Sequence, residues 1–161
     1  MSKSKIVGIV ALIAFTMAIL LVGNALAGER GKISSRNVYY SPTFHTLKVP
    51  DVEDHTIMLY EGKGISFTEK WGACLVYEAG IVDTIKGEGT CQGYTQYSFP
   101  DGSTTMQKWE GRLGAARNEG TWTYIKGTGK FNGIQGKGTW KASLMSPERW
   151  YSDGVGEYTL P

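Results

Sequence analysis

Residues 127–140 read GTGKFNGIQGKGTW, with five glycines in fourteen positions and lysines at two of the others. A glycine-rich stretch of this kind can be a phosphate-binding loop or part of a β-sheet, and the two differ in the spacing of their glycines. A Walker-type loop needs G-x-x-x-x-G-K followed by serine or threonine. Here Gly136-Lys137 is followed by Gly138, and Phe131 stands where the first glycine belongs. The dinucleotide pattern G-x-G-x-x-G fails as well, because Asn132 occupies its last glycine position.

The same residues fit a β-hairpin that needs glycine for its geometry. Asn132-Gly133 is a favourable turn pair, because both residue types tolerate a positive φ angle. Residues two apart in a strand point to the same face, so a G-x-G pair removes side chains from that face at two successive positions. We predict a structural hairpin with these key positions: Gly127, Gly129, Phe131, Gly133, Gly136 and Gly138.

From Thr56 onward, short segments rich in tyrosine, tryptophan, threonine, valine and isoleucine are separated by glycine. This composition is typical of strands, and no window holds apolar residues at helical spacing beyond two turns. Pro100-Asp101-Gly102 adds a strong hairpin signal. We predict strands near 56–68, 70–79, 85–99, 103–113, 120–128, 134–145 and 154–160.

Strands in this number can form a sandwich or a barrel. The glycines favour the barrel, because four G-x-G pairs lie within or beside strands: Gly62 with Gly64, Gly87 with Gly89, Gly127 with Gly129, and Gly136 with Gly138. A cleared face lets a strand coil strongly at a barrel corner. The predicted fold class is therefore all-β.

The stretch GTGKF at 127–131, with Gly136 close behind, resembles the glycine-rich hairpin of the allene oxide cyclase barrel superfamily, which includes dirigent proteins and secreted bacterial relatives. DGSTTMQKWEGRL at 101–113 is similar to the long strand before that hairpin, and GVGEYTL at 154–160 to the closing strand. The resemblance covers about residues 85–160, roughly half of the chain.

This resemblance implies an antiparallel eight-stranded barrel, calycin-like in outline, with an apolar cavity at one end and often a dimeric or trimeric assembly. Members cyclise an unstable lipid-derived epoxide or steer the coupling of phenoxy radicals, mainly by shaping the bound substrate. Their acidic, arginine or asparagine pocket groups do not map onto particular positions here. Fold likeness leaves the chemistry open.

The N-terminus has the three parts of a secretory signal peptide: MSKSK, the apolar run at 6–22, and a small-residue site at Ala25-Leu26-Ala27. We predict a signal helix in residues 1–27, cleaved after Ala27, and a secreted or periplasmic protein without stable membrane insertion afterwards. The alternative is an uncleaved anchor, since the 17-residue run is at the short end of the spanning range. Residues 28–55 lack a clean period and are predicted as an extended arm, and residues 56–161 as the barrel domain.

Removal of Lys3 and Lys5 with the signal leaves 17 minus 2 basic residues against 15 acidic ones, a net charge of zero. This balance argues against nucleic-acid binding, which requires a basic face. Cys74 and Cys91 form an even pair in a chain predicted to be exported, so we expect a disulfide. The alternative is a redox or metal role, which the spacing does not favour.

Six aromatic residues are the candidates for lining an interior ligand site: Trp71, Tyr77, Trp109, Trp122, Tyr124 and Trp140. Alternatively they fill the barrel, because side chains alone can close an eight-stranded interior. Glu61, Glu78 and Glu110 lie within predicted strands, and a carboxylate facing an apolar cavity could act as a general acid or base. We place Glu110 on the outer surface and favour the same for Glu78, which nevertheless remains the catalytic candidate.

His45 and His55 lack an accompanying carboxylate pattern, so we predict no metal site and no cofactor. No nucleophile motif of the G-x-S-x-G type occurs. Three functions remain: a barrel that binds a small hydrophobic or aromatic molecule without catalysis, a cyclase or isomerase that shapes its substrate, or a structural module whose barrel is filled. The first is the leading hypothesis, with a homo-oligomer as a further expectation.

Overall fold

The computed structural model describes residues 28–115, 118–146 and 148–161, without the side chains at 41 and 42. The predicted signal helix at 1–27 lies outside the described residues. The rest forms eight strands: β1 Glu29–Lys48, β2 His55–Thr68, β3 Gly72–Ile85, β4 Glu88–Ser98, β5 Thr104–Leu113, β6 Glu119–Gly127, β7 Gln135–Ser146 and β8 Arg149–Leu160. A single 3-10 turn, Gly129–Phe131, precedes β7. In this part of the chain no helix has the length and apolar character that crossing a membrane requires.

The eight strands follow one another around a closed antiparallel barrel in chain order. Side chains bridge the seam between β8 and β1. The guanidinium of Arg36 donates to both carboxylate oxygens of Asp153, at 2.6 and 2.7 Å. Beside this pair, Asn37 Nδ2 donates to Ser152 Oγ at 3.2 Å. The prediction of an all-β, eight-stranded antiparallel barrel is confirmed.

The prediction of an arm at 28–55 is wrong for most of that segment. Residues 29–48 are the first barrel strand, paired with β2 from Ser35 opposite Thr68 to Lys48 opposite Thr56. A bulge between Tyr40 and Thr43 shifts the register, so the two-residue period changes phase within the strand. Because of that phase change, the sequence of β1 shows no continuous alternation.

One end of the barrel is closed by packed aromatic side chains. Trp71 lies with ring centroids 4.8 Å from both Phe131 and Tyr158, and Phe99 lies 4.7 Å from Phe131. Phe131 is fully buried. We call these four residues, Trp71, Phe99, Phe131 and Tyr158, the aromatic plug.

The stretch 127–140 crosses the closed end and carries Phe131 into the plug. Gly129 and Gly133 have φ angles of 59° and 77°, conformations that residues with a Cβ rarely adopt. A Cβ at Gly127 would collide with the carbonyl oxygen of Phe131. The glycines therefore serve the geometry of this connection, as the spacing predicted.

Inside the barrel, glycines make room for tryptophans. In one hydrogen-bonded row Trp109 and Trp122 are neighbours, with Gly93 beside the first and Gly138 beside the second. A Cβ at Gly93 would collide with the Trp109 indole, and one at Gly138 with that of Trp122. Only small residues let the rings lie flat against the wall.

The predicted disulfide is absent, since Cys74 and Cys91 are both free and buried. Cys91 is opposite Val82 in the β3–β4 register. Cys74 lies eight positions before Val82 on β3, so the two thiols are roughly 26 Å apart at about 3.3 Å per residue. Bridging requires Cα atoms within about 7 Å. The even cysteine count reflects two separate inward positions.

Candidate functional site

The barrel contains a cavity of about 620 Å³ beyond the plug. Its walls come from all eight strands, and its outermost lining residues include Leu144, with 70% of its surface exposed, and the exposed Glu148. The cavity therefore opens to solvent at the end opposite the plug. A filled barrel, the third function considered from the sequence, does not describe this chain.

Three of the six predicted lining residues border the cavity: Trp109, Trp122 and Trp140. Trp71 belongs to the plug, and Tyr124 is buried between the cavity and the plug, where it contacts Trp122 at 5.1 Å. Tyr77 lies on the outer face of β3 and is 39% exposed.

The position of Tyr77 follows from a change of phase at the start of β3. Trp71 precedes the strand, and Gly72 has a φ angle of 76°. Because this conformation redirects the chain, Trp71 points into the barrel while the inward phase of β3 is Cys74, Val76 and Glu78. The simple alternation from Trp71 therefore predicted the wrong face.

Glu78 lies in the cavity wall, contrary to the surface position that the sequence favoured. Its carboxyl group accepts hydrogen bonds from the Tyr60 hydroxyl at 2.9 Å and from Thr95 Oγ1 at 2.8 Å, and it also bonds Tyr39. Glu61 and Glu110 lie on the exposed outer face. Of these three glutamates, only Glu78 borders the cavity and is available to a molecule inside the barrel.

Burial raises the pKa of Glu78, because a carboxylate loses hydration in this interior. The hydrogen bonds from Thr95, Tyr60 and Tyr39 act in the opposite direction, since they stabilise the ionised form. The pKa values of Tyr39 and Tyr60 are raised well above their usual range by burial and by the neighbouring Glu78. The tyrosines therefore remain neutral donors.

A second hydrogen-bonded group lies deeper in the cavity. Asn37 Nδ2 donates to the Tyr97 hydroxyl at 3.3 Å, and that hydroxyl donates to Gln107 Oε1 at 3.3 Å. Among the described buried atoms, Asn37 Oδ1 and the indole nitrogens of Trp109 and Trp140 have no hydrogen-bond partner. We define the polar floor as Asn37, Glu78, Thr95, Tyr97, Gln107 and Ser152.

Several cavity residues lie outside the strands predicted from the sequence. Asn37 and Tyr39 belong to the segment predicted as an arm, and Trp150 lies between the predicted strands 134–145 and 154–160. Trp150 stacks on Tyr39 at 5.1 Å and meets Tyr60 edge-on at 5.6 Å. The sequence of β1 does indicate a strand before the bulge. Its buried residues Ile33, Asn37 and Tyr39 are separated by multiples of two positions, as expected for one face of a strand.

The two histidines lie away from the cavity. His45 is exposed on β1, and His55 lies between Asp51 and Asp83 with ring nitrogen to oxygen distances of 2.6 and 2.8 Å. Within the described residues, no group of three histidine, cysteine or acidic side chains could hold a metal ion.

No family model matches the sequence, and no curated protein matches it. Among solved structures, the pterocarpan synthase dirigent protein GePTS1 aligns with a TM-score of 0.52 and 11% identity over 83% of this chain and 89% of that one. The Diels Alderase AbmU from Streptomyces koyangensis aligns with a TM-score of 0.46 and 16% identity over 94% of this chain and 80% of its own. The first alignment shows that this chain shares its barrel fold with that dirigent protein, which confirms at the level of the fold the resemblance noted in the sequence.

Proposed function

We propose that this chain is an exported barrel that binds a small apolar or aromatic molecule in its interior. The cavity carries the proposal. Its 620 Å³ falls within the range of about 300–1,000 Å³ that is usual for small-molecule sites. Its wall combines tryptophans with a few polar groups, the usual composition of such sites.

Binding is tested by narrowing the cavity. Ala142 borders the cavity, whereas Ala73 lies exposed on the outer face of β3. Ala142→Phe is expected to weaken the binding of the neutral fluorophore N-phenyl-1-naphthylamine and of other neutral naphthalenes at least tenfold, because the added ring takes up space inside. Ala73→Phe makes the same change outside and should leave affinity unchanged. Equal effects of the two variants would contradict interior binding.

The natural ligand and the assembly are read out together by native mass spectrometry of the protein purified from its own source. A retained mass released on denaturation identifies the ligand. The same spectrum measures the number of subunits, which tests the predicted homo-oligomer. The mature N-terminus, read by peptide mapping, tests cleavage after Ala27.

A second candidate function is a cyclase or isomerase in which Glu78 serves as general acid or base. The observation that favours it is the raised pKa of a carboxyl group inside the cavity. Its test compares Glu78→Gln with wild type on unsaturated precursors of the retained ligand, with products separated by chiral chromatography. Loss of selective product formation with retained binding would support catalysis, and unchanged product ratios would reject it.

A further inference from the structure

The cavity has a polar floor, an apolar upper wall above it and polar residues at its mouth. Glu78, Thr95 and Gln107 are direct register neighbours on β3, β4 and β5. Further toward the mouth on two of these strands, Val82 and Leu113 border the cavity. Other apolar residues of the upper wall are Phe44, Met58, Ala142 and Leu144. The lining residues toward the mouth also include four polar ones, which we call the polar rim: Thr46, Asn118, Ser143 and Glu148.

The floor and the upper wall favour one orientation for an amphiphilic molecule that fills the cavity. Apolar surface is stabilised against the upper wall by about 25 cal/mol per Å² removed from water. A polar group buried there without a partner would cost about 1–3 kcal/mol. The favourable arrangement places the polar end at the floor and the apolar body toward the mouth.

The charged groups of the cavity wall determine which polar groups of a ligand can be accommodated. None of the described lining residues is lysine, arginine or histidine, and Glu78 is the ionisable carboxyl group near the floor. An anionic end would be desolvated beside an acid with no basic side chain of the described wall to pair with it. Neutral and cationic ends remain.

The hydrogen bonds of the floor favour a donor. The amide hydrogens of Asn37 and the hydroxyl of Tyr97 are already donated within the floor. Glu78 accepts from three hydroxyl groups, and a carboxylate has about four acceptor positions. Asn37 Oδ1 accepts from none of the described groups. The floor therefore has acceptor capacity left, while the unpaired indole donors of Trp109 and Trp140 belong to the wall around it.

We propose that the cavity takes an apolar molecule bearing one hydroxyl or amine group, which enters by that end and donates a hydrogen bond to Glu78. The ligand class is thus a neutral or cationic amphiphile, with alkyl or aryl carboxylates excluded. This inference rests on the proposed function, because it specifies the ligand of the same cavity.

The test uses isothermal titration calorimetry with three matched molecules: 2-naphthalenemethanol, its methyl ether and 2-naphthoate. The alcohol is expected to bind about tenfold or more tightly than the ether, which lacks the donor, and the carboxylate more weakly than either. Equal affinities for alcohol and ether, or tighter binding of the carboxylate, would overturn the inference while leaving interior binding intact. Absence of binding by all three would instead reject the proposed function.

Two further measurements locate the polar end. Glu78→Gln should narrow the gap between alcohol and carboxylate by about tenfold or more, whereas Glu110→Gln, the same change on the outer face, should not alter it. A propyl group at position 6 of the naphthalene, far from the alcohol, should be tolerated because it extends toward the mouth. Loss of binding on that extension would show that the molecule lies the other way round.

Discussion

The two ends of this barrel are built from the same residue types, yet one is core and the other encloses a cavity. At the closed end, aromatic rings contact one another, and Phe131 is fully buried among Trp71 and Phe99. Toward the open end, Trp109 lies against glycine backbone on one side and borders the cavity on the other. The difference lies in what the second face of each ring contacts.

This comparison shows why aromatic content alone does not locate a binding site. A ring covered on both faces stabilises the fold, and a ring covered on one face leaves apolar surface for a ligand. The buried carboxyl group of Glu78 also lies on the cavity side of the plug, where hydroxyl groups donate hydrogen bonds to it. The position of an aromatic residue along the barrel axis therefore determines whether its ring packs in the plug or borders the cavity.

Removing one phenylalanine ring at each end should lower the stability of the fold by very different amounts. Phe131→Ala removes a fully buried ring from the plug and should lower the free energy of unfolding by about 3–5 kcal/mol. Phe44→Ala removes a ring that borders the cavity and is 39% exposed, so its loss should be about 1 kcal/mol. Urea denaturation followed by tryptophan fluorescence measures both values. Similar losses in the two variants would show that the open end is as tightly packed as the closed end.

The two cysteines lie in the two different environments and should differ in reactivity. Cys91 borders the cavity, whereas Cys74 is buried toward the plug and is not among the cavity residues. Burial and the neighbouring Glu78 raise the pKa of Cys91 to about 11, so its thiol reacts slowly at neutral pH. At pH 9, N-ethylmaleimide should label Cys91 in the folded protein at least tenfold faster than Cys74, as measured by peptide mass spectrometry.

The control for this labelling is Cys91→Ser, in which no thiol of the folded protein should react at the faster rate. A ligand in the cavity should protect Cys91 and leave Cys74 unaffected. Equal rates for the two thiols would mean that labelling requires unfolding and that the mouth does not admit small molecules. If the intact mass is lower than that of the reduced chain by two hydrogens, Cys74 and Cys91 form a disulfide as the sequence predicted.

The barrel could be predicted from the sequence because its signals are local. Gly127, Gly133 and Gly138 mark a turn and two close approaches within a short stretch. Trp109 keeps a two-residue period with Gln107 on β5, and Trp122 with Tyr124 on β6, to one side of the register shift between these strands. Where strand phase is continuous, the inward face is readable from one strand at a time.

The cavity lining could be predicted only in part, because several of its residues lie next to a break in the two-residue alternation of side chains along their strand. A bulge in β1 hid Asn37 and Tyr39, and the conformation of Gly72 reversed the expected faces of Tyr77 and Glu78. The separation of Cys74 from Cys91 depends on the β3–β4 register, which pairs Cys91 with Val82. Such pairings join residues distant in sequence, so composition and local period do not determine them.

A weaker, pH-dependent contribution to stability lies at the open end, where His55 begins β2 beside the β1–β2 turn. Its side chain is 14% exposed between the carboxylates of Asp51 and Asp83. Hydrogen bonds to Asp51 and Asp83 raise the pKa of His55 above its usual value, and the hydrogen bond to His55 lowers the pKa of Asp51. Both shifts mean that the charged pair is favoured by folding.

The raised pKa of His55 gives stability that is complete below its unfolded value of about 6.5 and is lost as pH rises through the folded value. The lowered pKa of Asp51 gives stability that is complete above about 3.9 and is lost as pH falls. The melting temperature should therefore be higher at pH 5.5 than at pH 8.5 by an amount that His55→Gln reduces. His45→Gln, a matched change at an exposed histidine of β1, should leave this difference unchanged. In hydrogen exchange, raising the pH should reduce protection at residues 49–55 and leave the protection of the plug unchanged. An equal loss of protection at both ends would show that the mouth and the plug unfold together.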